Sequence, residues 1–466
     1  MSHENPGNLM SRREMLALGA SALTLAAAPA FGLAAADAAP GPPSSGDRVI
    51  LSNEDSCTLT VIDPSTQRVK HTINLTSFDE DPRPPFRFVT GDMVPSHGAM
   101  IQKPLYHGAI SVHGCAPSPD SRLLATVGRG SGNLYLIDTQ SLAVVGNRPN
   151  PRAGPTTNAE TLTSGVLVGR EPHEPTFTPT GREIWVTLRG EDRIAVLDVD
   201  AIPRESSGQT ARGASIRGFV RTPPGPAMAW FADGGRTAFV VSQKTSSIEV
   251  MDVGYDASGY STVGMRKTLD ISAQDPFGFS PFLRRSPDGR EIWAVHKLAD
   301  RVSVLSTGGV VEARVVETLA IGDKARPNHL EFVENANGRA VYVSCARLDT
   351  AGNGIASPIM IIDRSAPYGK RRIVGQFFSQ GREAHGIWCD PSASMLFIAH
   401  ELDELPQQPN AGQTVCTVFD VKDPFAPRFM TQIPLGDLAL PSGRLRNKKS
   451  VNLVYVRPGM ASATAA

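Results

Sequence analysis

The stretch Arg182–Asp198, REIWVTLRGEDRIAVLD, contains two short runs of β-branched and aromatic residues on either side of a polar segment. Runs of this length and composition predict β-strands, and a short polar segment between two of them predicts a hairpin. The preceding residues 171–181, EPHEPTFTPTG, form another run that closes in a proline and glycine turn. The region therefore predicts three consecutive antiparallel strands.

The same pattern recurs along the chain, and a further apolar run such as VVETLAIG or RFMTQIPLG commonly follows it. Self-similar units of four strands, spaced by roughly 45 to 75 residues, are typical of β-propeller blades. The sequence predicts an all-β, seven-bladed propeller with blades that start near residues 48, 107, 172, 225, 277, 327 and 384. The second strand of each unit begins at Arg48, Arg122, Arg182, Arg236, Arg290, Arg339 and Ser394.

The first unit lacks an inner strand, because Arg48 follows closely on the N-terminal segment. At the other end of the chain, the run SVNLVYVRPG at 450–459 has the composition of a strand and no unit of its own. We expect a closing strand at 450–458 to complete blade 1, which leaves neither end blade with an unpaired edge.

The first 38 residues have the pattern of an export signal. Arg12 and Arg13 precede an apolar run rich in Ala and Gly, and Ala36 and Ala38 form a small-residue cleavage pattern. The segment resembles a twin-arginine signal peptide, which implies export of the folded protein to the bacterial periplasm or beyond. A retained membrane anchor is the alternative. The remaining residues, 39–466, are predicted to form one propeller domain.

Bulk composition excludes several classes of protein. Lys plus Arg and Asp plus Glu each number 46, so net charge does not favour nucleic acid or an acidic membrane surface as a partner. The five cysteines form no CxxC or CxxCH motif, which argues against a zinc ribbon and a c-type haem. In an exported protein they permit at most two internal disulfides, and the pairing and oligomeric state stay open. No P-loop or GxSxG elbow is present.

Runs such as GREIWVTL at 181–188 and PDGREIWAV at 287–295 resemble the YVTN-type propeller repeat over essentially the whole predicted mature chain. This superfamily includes periplasmic propellers of uncertain role, lactonases, the haem d1 domain of nitrite reductases and the propeller of nitrous oxide reductase. The resemblance implies the propeller fold without selecting one activity. Because the chain lacks a cysteine-rich electron-transfer domain and a haem c motif, it does not resemble either complete reductase.

Four histidines occupy equivalent places in the repeat. His113, His173 and His385 lie nine residues before the first residue of the second strand, and His329 lies ten before. This place is the start of the predicted inner strand, and the inner strands of all blades converge on the central channel. We therefore expect the four rings at one solvent-facing mouth of the channel.

Four other histidines are weaker candidates for the same site. His296 and His400 lie six residues after the start of the second strand, where that strand is expected to end at the same mouth. His97 and His107 lie in the long connection between blades 1 and 2. Since repeats arise by duplication, aligned histidines that only orient loops through backbone hydrogen bonds are an equally open interpretation.

Three functions are compatible with these residues. Several imidazoles without thiolates favour a Cu or Zn ion bound at the channel mouth. A protein with such a metal ion could be an oxidoreductase. A lactonase-like hydrolase would use His385 or His400 as general base, helped by Glu401, Glu174 or Arg382. A non-enzymatic scaffold would bind another envelope protein. The sequence does not decide whether the protein is an enzyme, nor which small molecule it binds.

Overall fold

The computed structural model describes residues 41–75, 110–145, 148–149, 161–162, 165–199, 216–346, 356–440 and 443–458. The predicted export signal, His97 and His107 lie outside these ranges. Within them the one helical element is a 3-10 turn at Asp233–Gly235, and no helix is long and apolar enough to cross a membrane. All five cysteines are free thiols.

The chain forms a seven-bladed β-propeller, so the predicted fold class is confirmed. Each blade is a four-stranded antiparallel sheet in which sequential strands pair from the inside outward. From inner to outer strand, blade 1 consists of Ser450–Val456, Arg48–Asn53, Thr58–Asp63 and Arg68–Asn74. Blade 2 consists of Val112–Pro117, Leu123–Gly128, Asn133–Asp138 and Val166–Leu167. Blade 3 consists of Pro172–Phe177, Glu183–Leu188, Arg193–Asp198 and Ile216–Arg221.

The remaining four blades follow the same order, and two short hairpins lie outside the blades. Blade 4 consists of Pro226–Ala232, Thr237–Ser242, Ser247–Tyr255 and Ser261–Asp270. Blade 5 consists of Phe282–Arg285, Glu291–His296, Arg301–Ser306 and Val315–Ala320. Blade 6 consists of Pro327–Asn335, Gly338–Cys345, Pro358–Asp363 and Ile373–Phe378. Blade 7 consists of Arg382–Cys389, Met395–Leu402, Val415–Asp420 and Arg428–Pro434. The hairpins are Arg148–Pro149 with Thr161–Leu162, and Asp437–Leu440 with Gly443–Arg446.

The C-terminal strand is the inner strand of blade 1, as the sequence predicts. It pairs antiparallel with Arg48–Asn53, from Arg48 opposite Val456 to Asn53 opposite Ser450. All seven residues of Ser450–Val456 are buried. The first and last strands of the described residues therefore share one sheet, and the inner edge of Arg48–Asn53 is paired.

The apolar core lies between the blades, which explains the strand patterns. A second strand such as Glu183–Leu188 is buried at every position, because both faces of its sheet are covered by neighbouring blades. The outer strand Ile216–Arg221 instead alternates between half-buried and exposed side chains. Large side chains such as Trp185 and Trp293 are fully buried between the sheets. Each blade thus depends mainly on its two neighbours.

Candidate histidine cluster in the central channel

The inner strands of blades 2, 3, 6 and 7 bring the four aligned histidines together. The ring centroids of His113 and His173 are 4.4 Å apart, and those of His329 and His385 are 4.9 Å apart. The rings of His113 and His385 connect the two pairs at 6.2 Å. These four residues, which we call the histidine cluster, form one continuous group although about 270 residues of sequence separate the first from the last.

A β-bulge in each of these inner strands contains the histidine. In all four blades the inner strand has one more residue than its partner at this point, and the ladder shifts between Val112 and Cys115, Pro172 and Pro175, Pro327 and Leu330, and Ala384 and Ile387. Because a bulge interrupts the strict alternation of side chains, it can turn two successive residues toward one side of a strand. This explains how His173 and its neighbour Glu174 both take part in one group.

The histidine cluster is buried, so the expectation of a solvent-facing mouth is wrong. The exposed fraction is 4% for His113, His173 and His329, and 9% for His385. The inner strands approach the channel axis so closely that the imidazole rings pack against one another. His329 also stacks on Phe282, with 4.1 Å between the ring centroids. The rings are therefore packed inside the protein instead of standing at its surface.

One end of the histidine cluster, together with Glu174, forms a group of side chains that could hold a metal ion. Ligand atoms of His113, His173 and Glu174 all lie within 4.8 Å of one another. The distance between His113 Nδ1 and Glu174 Oε1 is 3.7 Å. His113 Nδ1 is buried and forms no hydrogen bond within the described structure. An unsatisfied buried polar atom costs about 1–3 kcal/mol, and a bound ion would remove this cost.

The hydrogen bonds of His173 are compatible with metal binding. Its Nδ1 lies 2.9 Å from the carbonyl oxygen of Ala227, so the ring donates from this nitrogen. The other nitrogen, Nε2, then carries the free electron pair and accepts from the side-chain amide of Gln243 at 3.1 Å. A ligating histidine typically donates its second ring N–H to such a carbonyl, which fixes the tautomer. An ion would replace the contact with Gln243.

Glu174 is held in place by the closing strand. The side-chain amide of Asn452 donates to both carboxylate oxygens, at 3.1 and 3.2 Å. The backbone N–H of Glu174 donates to Thr187 Oγ1 at 3.1 Å. Closure of the propeller and the position of the carboxylate are therefore linked. Asn452 could be found from the repeat only by a loose match, because the closing strand aligns poorly with the other inner strands.

A glycine beside His113 allows the close approach of blades 2 and 3. A Cβ on Gly114 would lie 2.2 Å from the carbonyl oxygen of His173 and 2.4 Å from Glu174 Oε2. We expect Gly114→Ala to displace Glu174 and to destabilise the protein by about 1–3 kcal/mol, as overpacking does. Thermal unfolding measures this loss. In the control Gly218→Ala the added Cβ meets no atom within 4 Å, and equal melting temperatures for the two variants would contradict the packing described.

The other end of the histidine cluster carries a second carboxylate. His385 Nδ1 lies 3.3 Å from Glu401 Oε1, yet it is buried and makes no hydrogen bond within the residues described. Glu401 Oε2 is 4.0 Å from the ammonium group of Lys449, which also pairs with Glu54 at 2.6 Å. Glu54 in turn contacts Arg129 at 3.2 Å. A chain of buried and partly buried charged groups thus connects blades 7, 1 and 2 beside the imidazoles.

Burial keeps the imidazole rings neutral. Loss of solvation lowers the pKa of His113, His173 and His385 well below the ordinary value, and neighbouring cations and imidazoles act in the same direction. For His329, burial and the nearby Lys297 lower the pKa to about 3. A neutral imidazole has the electron pair that a metal ion or a proton requires.

The carboxyl groups shift in the opposite direction. Burial raises the pKa of Glu174 well above its ordinary value, although Asn452 partly offsets the shift. Burial, with Glu383 nearby, raises the pKa of Glu401 to about 7. Both carboxyl groups are therefore less acidic than usual. A metal ion bound beside Glu174 would favour its ionised form, because an adjacent positive charge stabilises a carboxylate.

Three sequence candidates lie elsewhere. His296 is fully buried and both its ring nitrogens contact serine hydroxyls, Ser280 Oγ and Ser303 Oγ, at 2.8 Å. His400 is also fully buried, and its nitrogens contact a serine hydroxyl and a backbone carbonyl, each at 3.1 Å. Arg382 donates to the carbonyl of Asp403 at 2.6 Å. All three side chains form hydrogen bonds within the blades. The expectation that His296 and His400 join the channel site is therefore wrong.

Comparison with known proteins agrees with this architecture. A family model described as "Lactonase, 7-bladed beta-propeller" matches residues 156–353, and no curated protein matches the chain. A functionally unknown protein from Desulfotomaculum acetoxidans superposes with a TM-score of 0.56 at 9% identity, covering 88% of this chain and 99% of that one. A periplasmic gluconolactonase from Pseudomonas aeruginosa gives 0.53 at 14% identity, with coverage of 88% and 99%.

A further similar structure is a candidate 6-phosphogluconolactonase from Bacteroides uniformis, with a TM-score of 0.56, 13% identity and coverage of 88% of this chain and 100% of that one. At such low identities the likeness shows the fold alone. The family match spans less than half of the chain. The protein is accordingly a seven-bladed β-propeller whose middle blades are similar to those of the lactonase propellers.

Proposed function

We propose that the protein binds one transition-metal ion, Cu or Zn, through His113, His173 and Glu174. The observation that carries this proposal is the buried, unsatisfied Nδ1 of His113 within reach of two further ligand atoms. Two imidazoles and a carboxylate without a thiolate suit these ions. Three protein ligands leave a coordination position for water or a small molecule, as in catalytic metal sites.

The surrounding residues give this site defined chemistry. The bound ion would supply a Lewis acid or, in the case of Cu, a redox centre. Asn452 orients the carboxylate of Glu174, and the carbonyl of Ala227 selects the tautomer of His173. His385 and Glu401 lie next to this group and can hold or release a proton. The arrangement therefore supports an oxidoreductase with Cu and a hydrolase with Zn.

Lactone hydrolysis is the second candidate function, and one specific geometry favours it. His385 Nδ1 lies 3.3 Å from Glu401 Oε1, so a small movement would let the carboxylate accept a hydrogen bond from the imidazole and orient it as a general base. The match of residues 156–353 to the lactonase family model gives further support. Because His400 and Arg382 are engaged elsewhere, they are no longer part of this hypothesis.

We expect His385→Ala to lower kcat/KM for glucono-δ-lactone by at least about 100-fold, as loss of a general base does. The measurement is hydrolysis by wild-type and variant protein, each prepared with and without Zn. His71→Ala, on the exposed outer strand of blade 1, serves as the control and should retain full activity. A wild-type protein that does not hydrolyse this lactone, or a fully active His385→Ala variant, would remove the hydrolase hypothesis.

We also propose that the protein reaches the periplasm through the twin-arginine pathway, on the basis of residues 11–38. Replacement of both Arg12 and Arg13 by Lys should leave uncleaved precursor in the cytoplasm. Fractionation of cells that express each form measures the distribution. Mature double variant in the periplasm at the wild-type level would argue against this route.

A further inference from the structure

A cavity adjoins Glu174, and its walls do not include the histidine cluster. It has a volume of about 60 Å³ and is partly open. Three aromatic rings, Trp230, Phe282 and Trp388, form part of its wall, and Glu174 and Asn452 provide polar groups. The four histidines of the cluster are not among its lining residues. The cavity therefore has apolar surfaces and a polar corner, as small-molecule sites do.

The charges near the cavity do not favour an anionic ligand. Arg285 is the lining residue with a positive charge, and it already has a partner in the protein. Arg284 lies behind the wall, 3.9 Å from the ring centroid of Trp388, and its guanidinium pairs with Glu331 at 2.6 Å. A neutral ligand is consequently a better match than an anion, because burying an unpaired negative charge beside these rings would be costly.

The Glu174 carboxylate has hydrogen-bonding capacity that Asn452 does not use. Glu174 accepts two hydrogen bonds from Asn452, whereas an ionised carboxylate offers about four acceptor positions. The side-chain oxygen of Asn452 accepts from the backbone N–H of Leu453 at 2.8 Å. A hydroxyl group can donate to an ionised carboxylate and can accept from a protonated carboxyl group. It therefore suits Glu174 in either protonation state.

We propose that this cavity binds a small neutral phenol, with the hydroxyl group on Glu174 and the ring against Trp230 and Trp388. Flat aromatic walls favour a flat ring through stacked or edge contacts. A volume of about 60 Å³ corresponds to roughly four to six water-sized positions, which matches most of one ring. The phenol site does not require the proposed metal ion, although both would use Glu174.

The test is a titration of metal-free protein with phenol, followed by tryptophan fluorescence. The chain has four tryptophans, of which Trp185 and Trp293 are fully buried between blades and Trp230 and Trp388 line the cavity. We expect a saturable change in the wild-type protein that is lost in the Trp230→Phe, Trp388→Phe double variant. Toluene, which replaces the hydroxyl by a methyl group, should bind at least tenfold more weakly, because Glu174 would lose its partner.

Isothermal titration of both proteins provides a second readout, since the phenylalanine rings of the double variant preserve an aromatic wall. It should detect phenol binding to both proteins, with dissociation constants that differ by less than about tenfold. Absence of saturable binding to the wild-type protein would overturn the proposal, as would a fluorescence change that persists in the double variant. Equal affinities for phenol and toluene would also overturn it, because ring burial alone would then explain binding. Since all samples are free of metal, failure of the metal site would not affect these results.

Discussion

Deletion of residues 450–466 is expected to abolish soluble, folded protein. The lost strand supplies the inner edge of blade 1, where it pairs along Arg48–Asn53. Five of its seven residues are apolar and buried: Val451, Leu453, Val454, Tyr455 and Val456. Burial of a large apolar side chain contributes about 1.5–3 kcal/mol, so the loss is on the order of 10 kcal/mol. This is comparable to the whole net stability of a typical domain.

The position of the strand enlarges this effect. Leu453 and Tyr455 belong to an apolar cluster that includes Phe397 of blade 7, whereas Val454 and Val456 pack in a cluster that includes Val112 of blade 2. Removal of the strand would therefore expose the cores on both sides of blade 1. Soluble yield and thermal unfolding measure the outcome. A chain truncated after Pro458 retains the strand and should unfold as the wild type does. A cooperative, wild-type melting curve without residues 450–466 would contradict the closure.

Replacement of His113 by Ala is expected to remove the bound metal without unfolding the propeller. Loss of a protein ligand should weaken metal binding by more than about 100-fold, beyond the 10–100-fold that outer contacts contribute. The Nδ1 of His113 forms no hydrogen bond in the described structure, so little protein–protein bonding is lost at this atom. Removal of this unsatisfied atom offsets part of the packing that is lost with the buried ring, so in the metal-free state the melting temperatures of variant and wild type should be similar. Metal content and thermal unfolding are measured on the same samples.

The control for this change is His71→Ala, because His71 is exposed on the outer strand of blade 1 and should not affect metal content. The alternative interpretation, in which the aligned histidines only orient loops, expects a different pattern. In that case the wild-type protein binds no metal with useful affinity, and His113→Ala lowers the melting temperature of the metal-free protein. The two measurements together separate a ligand from a structural histidine.

The repeat pattern predicted the fold because its signals are local. Paired β-branched runs at regular spacing specify strands and blades, and the unassigned run at 450–459 indicated the closing strand. The same register predicted that His113, His173, His329 and His385 converge, since equivalent places in the blades lie at equivalent distances from the channel axis. Inner-strand histidines could therefore be found from spacing alone.

Features that depend on contacts between blades could not be predicted in this way. A one-residue bulge decides that Glu174 joins His113, and a sequence does not show where a ladder shifts. His296 and His400 follow the repeat register, yet serine hydroxyls within hydrogen-bond distance engage their rings inside the blades. Burial of the cluster also depends on blade packing, which sets how closely the inner strands approach.

The most direct test of the central proposal is X-ray absorption spectroscopy of the wild-type protein, after incubation with Cu and Zn and removal of unbound metal. We expect about one ion per chain, with two imidazole nitrogens at about 2.0–2.1 Å, oxygen ligands at about 2.0–2.2 Å and no sulfur scattering. The spectrum of Glu174→Gln should lose the carboxylate contribution. A protein that retains no metal, or a metal with sulfur ligands, would contradict the proposed site at His113, His173 and Glu174.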